Sequence, residues 1–311
     1  MRYTNIVIAL GNKCTAACNC CCFEANSNGK ALLQEKSLIR FIESSKSVPN
    51  ISCFHFSGGE VFLHYEYLKR LIRVCSKIEK KTTVITNGYW AYDYDTTLNK
   101  LKELKDEGLG AIGISYDEFH KEYIPLQNIR NYIRASKKLG FRPSIQVTFT
   151  KSSNNGEWID QLGEDLVDVI INFMPCDNVG RATKCIDNKD FLYHSIEDDR
   201  KLCRKGGTFS VLYDGTIWPC CSPKVYFSNL CLGNIEELSV SDVLESLESN
   251  KYLKKIRRES FEYFINLSKK YNIVDIPNNV ISACDLCGIF FNKSAQKKFE
   301  KYMGKNKKDE L

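Results

Sequence analysis

The sequence predicts an α/β fold with a parallel sheet, followed by a smaller domain. The chain has 311 residues, more than one average domain. Hydrophobic residues make up 43% of it and charged residues 26%, a composition typical of globular proteins. From residue 4 to about residue 174, short apolar runs alternate with longer amphipathic ones, which is the pattern of repeated strand and helix units.

Six apolar runs predict buried strands, and five segments with apolar residues at helical spacing predict the helices between them. The predicted strands are TNIVIAL, ISCFHF, TTVIT, AIGIS, SIQVTFT and DVIINFM. The predicted helices are ALLQEKSLIRFIESS, HYEYLKRLIRVCSKIEK, DTTLNKLKELKDEG, LQNIRNYIRASKKLG and EWIDQLGEDL. Because neighbouring parallel strands need crossover connections, we expect a parallel sheet with its binding residues at the carboxyl ends of the strands.

The rest of the chain predicts a second, smaller unit. Residues 176–202 are expected to be a connector. The next stretch, CRKGGTFSVLYDGTIWPCCSP, has two apolar runs around an Asp-Gly turn and predicts a β-hairpin. Helices are expected at about 236–249 and 251–271. We therefore expect a core domain over 1–190, a smaller domain over 191–295 and a basic C-terminal tail over 296–311.

The fifteen cysteines are an odd number, and several are adjacent. A complete set of disulfides is geometrically unfavourable, so a reduced compartment and metal ligation fit better. The sequence shows no signal peptide and no apolar run of transmembrane length, and the terminal KDEL is not expected to act as an ER address. We expect a cytoplasmic protein. The net charge of +6 lies largely in the tail, so neither a nucleic acid nor a membrane is an expected partner.

Cys14, Cys18 and Cys21 form a CxxxCxxC motif after the first strand. Three thiolates on one tight loop do not complete a tetrahedral zinc site. They match three irons of a [4Fe–4S] cluster whose fourth iron stays open to a small molecule. This motif resembles that of the radical SAM superfamily. The resemblance implies a partial (β/α)6 TIM-like barrel, a cluster that cleaves S-adenosyl-L-methionine (SAM) reductively, and an external electron donor of the flavodoxin or ferredoxin type.

The next strand ends carry the expected SAM-binding residues. Gly58, Gly59 and Glu60 match the GGE motif that receives the methionyl ammonium in this family. The glycines would let the backbone approach SAM, and the carboxylate would balance its positive charge. The resemblance implies further cofactor-binding candidates on or after strands three to five: Asn87, Ser115, Asp117 and Gln146.

Three residues near these motifs have open roles. His120 follows Asp117, and a structural hydrogen-bonding role is at least as well supported as a catalytic one. The family usually has an aromatic residue before the third cysteine, near adenine, but Cys20 occupies that position here. Phe23 is a candidate for the missing apolar surface. Cys20 and Cys22 are interpreted as small hydrophobic residues.

A second cysteine set lies in the C-terminal half. Cys203 is followed by eleven residues, Gly215, four more residues and Cys220, an arrangement that resembles the opening of the SPASM or twitch domain. The later CDLC adds Cys284 and Cys287. These four thiolates suffice for one auxiliary [4Fe–4S] cluster, although a zinc ribbon would use the same ligands. A full SPASM domain needs about seven cysteines for two clusters, and six follow position 202, so we expect one cluster.

Cys221 is adjacent to one of these expected ligands, and a thiol can give a hydrogen atom to a carbon radical. The segments CCF, GTIWPCCSP and SACDLCGIFFN, in this order, resemble the radical SAM peptide epimerases of the YydG type. The resemblance implies inversion of L-residues to D-residues in a ribosomally synthesised precursor peptide, with Cys221 as the hydrogen donor. Two alternatives stay open: a radical SAM peptide cross-linking enzyme that forms thioether or carbon–carbon bonds, and a zinc-ribbon binding protein.

Overall fold

A computed structural model describes residues 3–197, 202–203 and 206–303. All six predicted strands are present, each within two residues of the expected bounds. They are β1 (Asn5–Ala9), β2 (Cys53–Ser57), β3 (Lys81–Thr86), β4 (Ala111–Ser115), β5 (Ser144–Phe149) and β6 (Ile170–Pro175). Each pairs in parallel with the next in chain order, so the predicted α/β class and parallel sheet are confirmed.

The five helices between these strands are also where the sequence predicts them. They are α1 (Glu35–Ser44), α2 (Tyr65–Lys77), α3 (Tyr94–Asp106), α4 (Leu126–Lys138) and α5 (Gly156–Leu162). Each presents an apolar face to the sheet; in α2 the buried set includes Leu68, Leu71, Ile72 and Cys75, at the spacing of one helix face. The core is thus an open (β/α)6 barrel with its carboxyl-terminal strand ends on one side.

The connector after β6 contains a short helix, α6 (Ala182–Cys185), and a two-residue strand, β7 (His194–Ser195). The predicted hairpin follows as β8 (Thr208–Val211) and β9 (Thr216–Trp218), and β10 (Gly233–Asn234) pairs with β9. The hairpin belongs to the core sheet, because β8 pairs in parallel with β1. The nine strands have the order β10-β9-β8-β1-β2-β3-β4-β5-β6. This pairing was not predicted from the sequence.

The C-terminal region is mostly helical. It consists of α7 (Val240–Ser249), α8 (Lys251–Glu259), α9 (Glu262–Tyr271), β11 (Asn279–Val280), α10 (Cys284–Phe290) and α11 (Lys293–Tyr302). The single helix predicted over 251–271 is wrong, because Ser260 has a φ of 59° and separates α8 from α9. None of the helices in the described residues has the length and apolar character needed to cross a bilayer.

The segment predicted as a basic tail begins inside α11. Phe299 of this helix is fully buried and packs against Phe264 and Phe290. Residues 296–303 are therefore held against the helical region, and residues 304–311 lie outside the described residues. The domain boundaries expected from the sequence stay predictions.

Candidate functional site

The carboxyl ends of β1 to β4 surround an open cavity of about 180 Å³, here called the cysteine cavity. Because these ends lie on one side of a parallel sheet, residues far apart in sequence meet there. Seven of the predicted site residues line it: Cys14, Cys18, Cys21, Gly58, Gly59, Asn87 and Ser115. The cavity wall also includes Cys20, Cys22, Phe23, Thr86 and His120.

The thiols of the predicted cluster motif are close together on the loop after β1. Cys14 and Cys18 are buried. The Cys14 sulfur accepts hydrogen bonds from the Ala16 amide at 3.4 Å and from Asn87 Nδ2 at 3.5 Å. Burial raises the pKa of Cys14 to about 11, and the nearby thiols of Cys18 and Cys21 add to the rise. Burial thus keeps the Cys14 thiol protonated in the metal-free chain, and metal binding would release its proton.

This donor set fits an iron–sulfur cluster. Three thiols from one loop, with N–H groups aimed at sulfur, are the ligand chemistry of [4Fe–4S] sites. No three His, Cys, Asp or Glu side chains of the described ranges are arranged to hold one metal ion. That does not conflict with a cluster, because a cube distributes its ligands over separate irons rather than gathering them around one.

A clamp from the connector holds the cysteine loop from outside. The Arg181 guanidinium donates to the Cys18 carbonyl at 2.9 Å and to the Ala25 carbonyl at 2.7 Å. The Arg181 amide donates to the Cys21 carbonyl at 3.0 Å. A Cβ on Gly180 would lie 2.6 Å from the Cys21 carbonyl oxygen, so only glycine permits this approach. Three loop carbonyls are thus fixed by one residue that the sequence did not single out.

The GGE turn packs directly on the chain after β1. The Gly59 amide donates to the Gly11 carbonyl at 2.7 Å, and the Glu60 amide donates to the Lys13 carbonyl at 2.8 Å. A Cβ on Gly59 would lie 2.1 Å from the Lys13 carbonyl oxygen, a clash that side-chain motion does not relieve. Gly58 also lines the cavity. Gly59 therefore allows a close backbone contact within the protein. The expected role of the glycines in letting the backbone approach SAM stays a prediction.

Glu60 lies behind the cavity wall and is 2% exposed. Its carboxylate accepts hydrogen bonds from the Phe62 amide at 2.9 Å, from Thr86 Oγ1 at 2.7 Å and from the Asn87 amide at 2.7 Å. Burial raises the pKa of Glu60 even though these donors oppose the rise. The carboxylate thus joins the turn after β2 to the turn after β3.

Asn87 and Ser115 face the cavity from β3 and β4. Asn87 Nδ2 donates to Thr15 Oγ1 at 3.0 Å as well as to the Cys14 sulfur, so it contacts the cysteine loop directly. Gln146 is the register partner of Ser115 on β5, but it does not line the cavity. Their binding roles stay predictions.

Asp117 is fully buried and holds His120 in place. Its carboxylate accepts from His120 Nδ1 at 2.7 Å, from the Phe119 and His120 amides, and from the Thr148 amide at 2.9 Å. Burial alone would lower the pKa of His120, but the Asp117 carboxylate and the Cys18 thiol outweigh it, and the pKa lies well above its usual value. Asp117 is a positioning residue in this geometry, and His120 is the residue of the pair that reaches the cavity.

Phe23 and Cys22 also line a second cavity of about 500 Å³, here called the aromatic cavity. Its other walls come from the connector, the hairpin turn and the segment after Pro-Cys-Cys. The Phe23 ring meets Tyr213 edge to face at 6.1 Å and stacks on Tyr226. Cys20 packs toward Cys176 at the end of β6.

The four cysteines of the second predicted set are brought together. Burial raises the pKa of Cys287, and the thiols of Cys220, Cys203 and Cys284 each add to that rise, which places all four within electrostatic range. Cys284 and Cys287 lie one turn apart in α10, and Cys220 follows the hairpin. The set can provide four thiolate ligands to one cluster.

The Pro-Cys-Cys segment is fixed to the core. Tyr3 donates to the Pro219 carbonyl at 3.2 Å, and Ser210 on β8 donates to the Cys220 carbonyl at 2.7 Å. Tyr226 donates to Ser210 at 3.3 Å. Burial raises the pKa of Tyr226, and the thiols of Cys22 and Cys221 both add to the rise. Cys221 is therefore near the same phenol as Cys22.

Two sequence profiles match this chain. The profile of the radical SAM superfamily matches residues 8–147, and that of SPASM, an iron-sulfur cluster-binding domain, matches residues 203–288. The first range contains Cys14, Cys18 and Cys21 of the CxxxCxxC motif, and the second contains the four cysteines gathered around α10. A radical SAM [4Fe–4S] cluster, SAM and auxiliary iron–sulfur binding are thereby established, and the zinc-ribbon alternative is wrong.

The chain is also similar to individual proteins. It is 29% identical to "Putative peptide biosynthesis protein YydG" of Bacillus subtilis (strain 168), over 98% of this chain and 99% of the relative. The crystal structure of BtrN in complex with AdoMet and 2-DOIA superimposes with a TM-score of 0.52 at 14% identity, covering 93% of this chain and 92% of that one. At this identity the second similarity concerns the fold alone.

Proposed function

This chain is a radical SAM protein with a C-terminal SPASM domain, and we propose that it inverts residues of a ribosomally synthesised peptide from L to D. The relative named for peptide biosynthesis supports a peptide as substrate. The observation that carries the inversion is the position of Cys221. It adjoins Cys220, one of the four auxiliary cysteines, and lies near Tyr226, which stacks on Phe23 at the end of the cysteine loop.

Cys14, Cys18 and Cys21 would hold the first cluster, with Gly58, Gly59, Asn87 and Ser115 on the wall where SAM would bind. When bound, the cluster and SAM supply a 5′-deoxyadenosyl radical that can remove a Cα hydrogen. Cys203, Cys220, Cys284 and Cys287 would hold the auxiliary cluster. His120 lies at the cavity wall, where the Asp117 carboxylate holds its Nδ1.

Inversion requires the returning hydrogen to reach the peptide from the face opposite to the one it left. A donor therefore has to come from a different element than the loop that holds SAM. Cys221 meets this requirement, because it follows β9 rather than β1. The bonds from Tyr3 and Ser210 to the preceding carbonyls support a fixed donor position. A fixed donor position matters because hydrogen-atom transfer requires the thiol and the Cα radical to be close and correctly oriented.

The proposed step transfers a hydrogen atom from the Cys221 thiol to the peptide Cα radical. The S–H bond of Cys221 breaks, a C–H bond forms at Cα, and a thiyl radical remains on sulfur. One electron and one proton return the thiyl radical to the thiol. An external electron donor of the flavodoxin or ferredoxin type would supply the electron, and solvent would supply the proton.

A Cys221→Ala variant tests the proposal. It should still release 5′-deoxyadenosine in the presence of peptide, because the residues around the cysteine cavity are unchanged, but it should form no D-residues. Chiral amino-acid analysis of the peptide and quantification of 5′-deoxyadenosine measure the two steps separately. Cys231→Ala is the matched control, since Cys231 is exposed and its thiol donates to the nearby Gly233 carbonyl. D-residues at the wild-type level from Cys221→Ala would overturn the donor role.

A further inference from the structure

The outer edge of β6 is open. β6 is the last strand of the sheet and pairs with β5 on one side. The Ile170 amide donates to Pro143 across that pair, and the Cys176 amide donates to Phe149. Because main-chain groups alternate sides along a parallel strand, those of Ile171, Phe173 and Pro175 point away from β5. No partner for them occurs within residues 3–197, 202–203 and 206–303.

This edge lacks most of the usual protection. Phe173 is 51% exposed and Met174 is 45% exposed. No charged residue occurs within β6, and Pro175 is the one blocking residue, at the very end of the strand. Native sheets normally protect an exposed edge with lysine, proline, a bulge or a covering element. An open, apolar edge of six residues is a surface suited to an added strand.

The two faces of this edge lead to different surroundings. Register partners in a parallel pair point to the same face, so Phe173 lies on the face of buried Val147 and meets Phe149 edge to face at 6.1 Å. The opposite face carries Asn172, which aligns with Gln146 and, through it, with the cavity-lining Ser115. One face of the edge is therefore an aromatic patch, and the other continues the barrel interior.

The carboxyl end of β6 reaches the functional site. The strand runs directly into Cys176, which is 1% exposed, and Cys20 of the cysteine loop packs against the cluster of side chains around it. A chain that follows the β6 edge would therefore arrive at the wall of the cysteine cavity without leaving the sheet.

We propose that the peptide substrate binds as an extended strand along the outer edge of β6. Main-chain N–H and C=O groups of the edge recognise a peptide backbone whatever its sequence, and this is the chemistry that β-strand addition uses. The proposal rests on the proposed function only in taking a peptide as the substrate. Side chains at alternate peptide positions would cover Phe173, and those between them would face the barrel interior. The residues presented for reaction are consequently spaced by two.

Residue-resolved hydrogen exchange on the cluster-loaded enzyme tests this pairing. The probe is a short synthetic peptide, chosen because it raises the release of 5′-deoxyadenosine by the cluster-loaded enzyme. We expect the amides of Ile171 and Phe173 to exchange fast in the free enzyme and to become protected when the peptide is added. The amides of Asn172 and Met174 should be slow in both states, because they already bond to β5. Unchanged exchange at Ile171 and Phe173 under saturating peptide overturns the proposal.

A scan of N-methylated peptides gives a second, independent readout. Each methyl group removes one peptide donor, and affinity measured by fluorescence anisotropy should fall at every second position and stay unchanged between them. Each lost main-chain hydrogen bond should weaken binding by about 5- to 10-fold. An affinity loss without this period of two overturns strand addition. The scan uses the unaltered enzyme, so it does not depend on whether a variant folds.

Phe173→Pro removes the outward donor of the enzyme without touching the bonds to β5, and it should weaken peptide binding by a similar factor. Val167→Ala is its control, because Val167 is 61% exposed but lies before the strand.

Light scattering tests whether a second copy of the enzyme occupies the edge instead. If the enzyme alone forms dimers that Phe173→Pro dissociates, a second copy covers the edge and the proposal is wrong. If the β6 amides become protected but the product is cross-linked, the proposed inversion is wrong and strand pairing stands. If D-residues form while the β6 amides stay unprotected, strand pairing is wrong and inversion stands.

Discussion

Phe23 and Tyr226 stack with their ring centroids 6.1 Å apart and an interplanar angle of 25°. Phe23 closes the cysteine loop, and Tyr226 follows the Pro-Cys-Cys segment. The contact joins the loop that carries the first cysteine motif to the segment that carries the proposed donor. Aromatic pairs of this kind contribute about 0.5–1.5 kcal/mol beyond their buried area. The distance between the first cysteine motif and the Pro-Cys-Cys segment is therefore set by this aromatic packing and by the parallel pairing of β8 with β1.

Gly59→Ala should prevent assembly of the cysteine cavity. The added methyl would meet the Lys13 carbonyl, so the loop after β1 would have to move, at an expected cost of about 2 kcal/mol or more. Iron content after anaerobic reconstitution and thermal unfolding measure the effect. Gly156→Ala is the control, because its Cβ would lie 3.6 Å from the nearest atom, an ordinary contact. Equal iron content in the two variants would show that the close contact between Gly59 and the Lys13 carbonyl is not needed for cluster assembly.

Arg181→Met should loosen the cysteine loop while preserving the volume of the side chain. It removes the donors to the Cys18 and Ala25 carbonyls, and hydrogen bonds from charged groups contribute about 1.5–3 kcal/mol each. We expect faster loss of the first cluster, followed as bleaching of visible absorbance in a chelator. Lys184→Met should behave as wild type, because its ion pair with Glu24 is exposed. Identical bleaching rates would show that the clamp is dispensable.

Cys287→Ala should remove the auxiliary cluster and leave the first one. Iron should fall from about eight to about four per chain, since each cluster contributes four. Colorimetric iron analysis and electron paramagnetic resonance of the reduced protein measure this change. Cys185→Ala provides the comparison, because Cys185 is exposed on α6. Retention of all the iron by Cys287→Ala would exclude this thiol as a ligand.

Asp165→Asn should destabilise the core domain. The carboxylate accepts from Arg130 at 2.7 Å and from Arg134 at 2.9 Å, and its side chain is 15% exposed. Losing these charge-assisted bonds should lower the free energy of unfolding by about 1.5–3 kcal/mol, measured by urea denaturation at neutral pH. Glu236→Gln, which breaks an exposed pair with Arg40, should cost less than about 1 kcal/mol. Equal costs would show that the Asp165 network adds no stability.

The core strands and helices could be predicted because their information is local. Each of β1 to β6 is a short apolar run, and each of α1 to α5 has an apolar face at helical spacing. The pairing of β8 with β1 could not be predicted, because it joins residues about 200 positions apart and no local signal selects that partner. The break at Ser260 was missed because the apolar spacing continues through it and nothing in the residue type requires a positive φ.

The sequence predicts which motifs meet at one cavity, whereas the binding role of each site residue stays a prediction. The three loop cysteines, both motif glycines and Asn87 meet at one cavity as expected. The family resemblance implies SAM binding by Asp117, and in the structure its carboxylate accepts hydrogen bonds from His120 and from main-chain amides. Arg181 was missed because its partners are more than 150 residues away. Such contacts depend on the assembled fold and leave no pattern in the sequence.

The reaction in deuterium oxide tests the central claim most directly. The cluster-loaded enzyme, SAM, a reductant and the peptide probe are incubated together, and the product is analysed by mass and by chiral amino-acid analysis. Inversion with a solvent-exchangeable thiol donor predicts one D-residue and one added deuterium at every reacted position. A product that has lost two hydrogens and kept all its residues in the L form would contradict the account and indicate cross-linking.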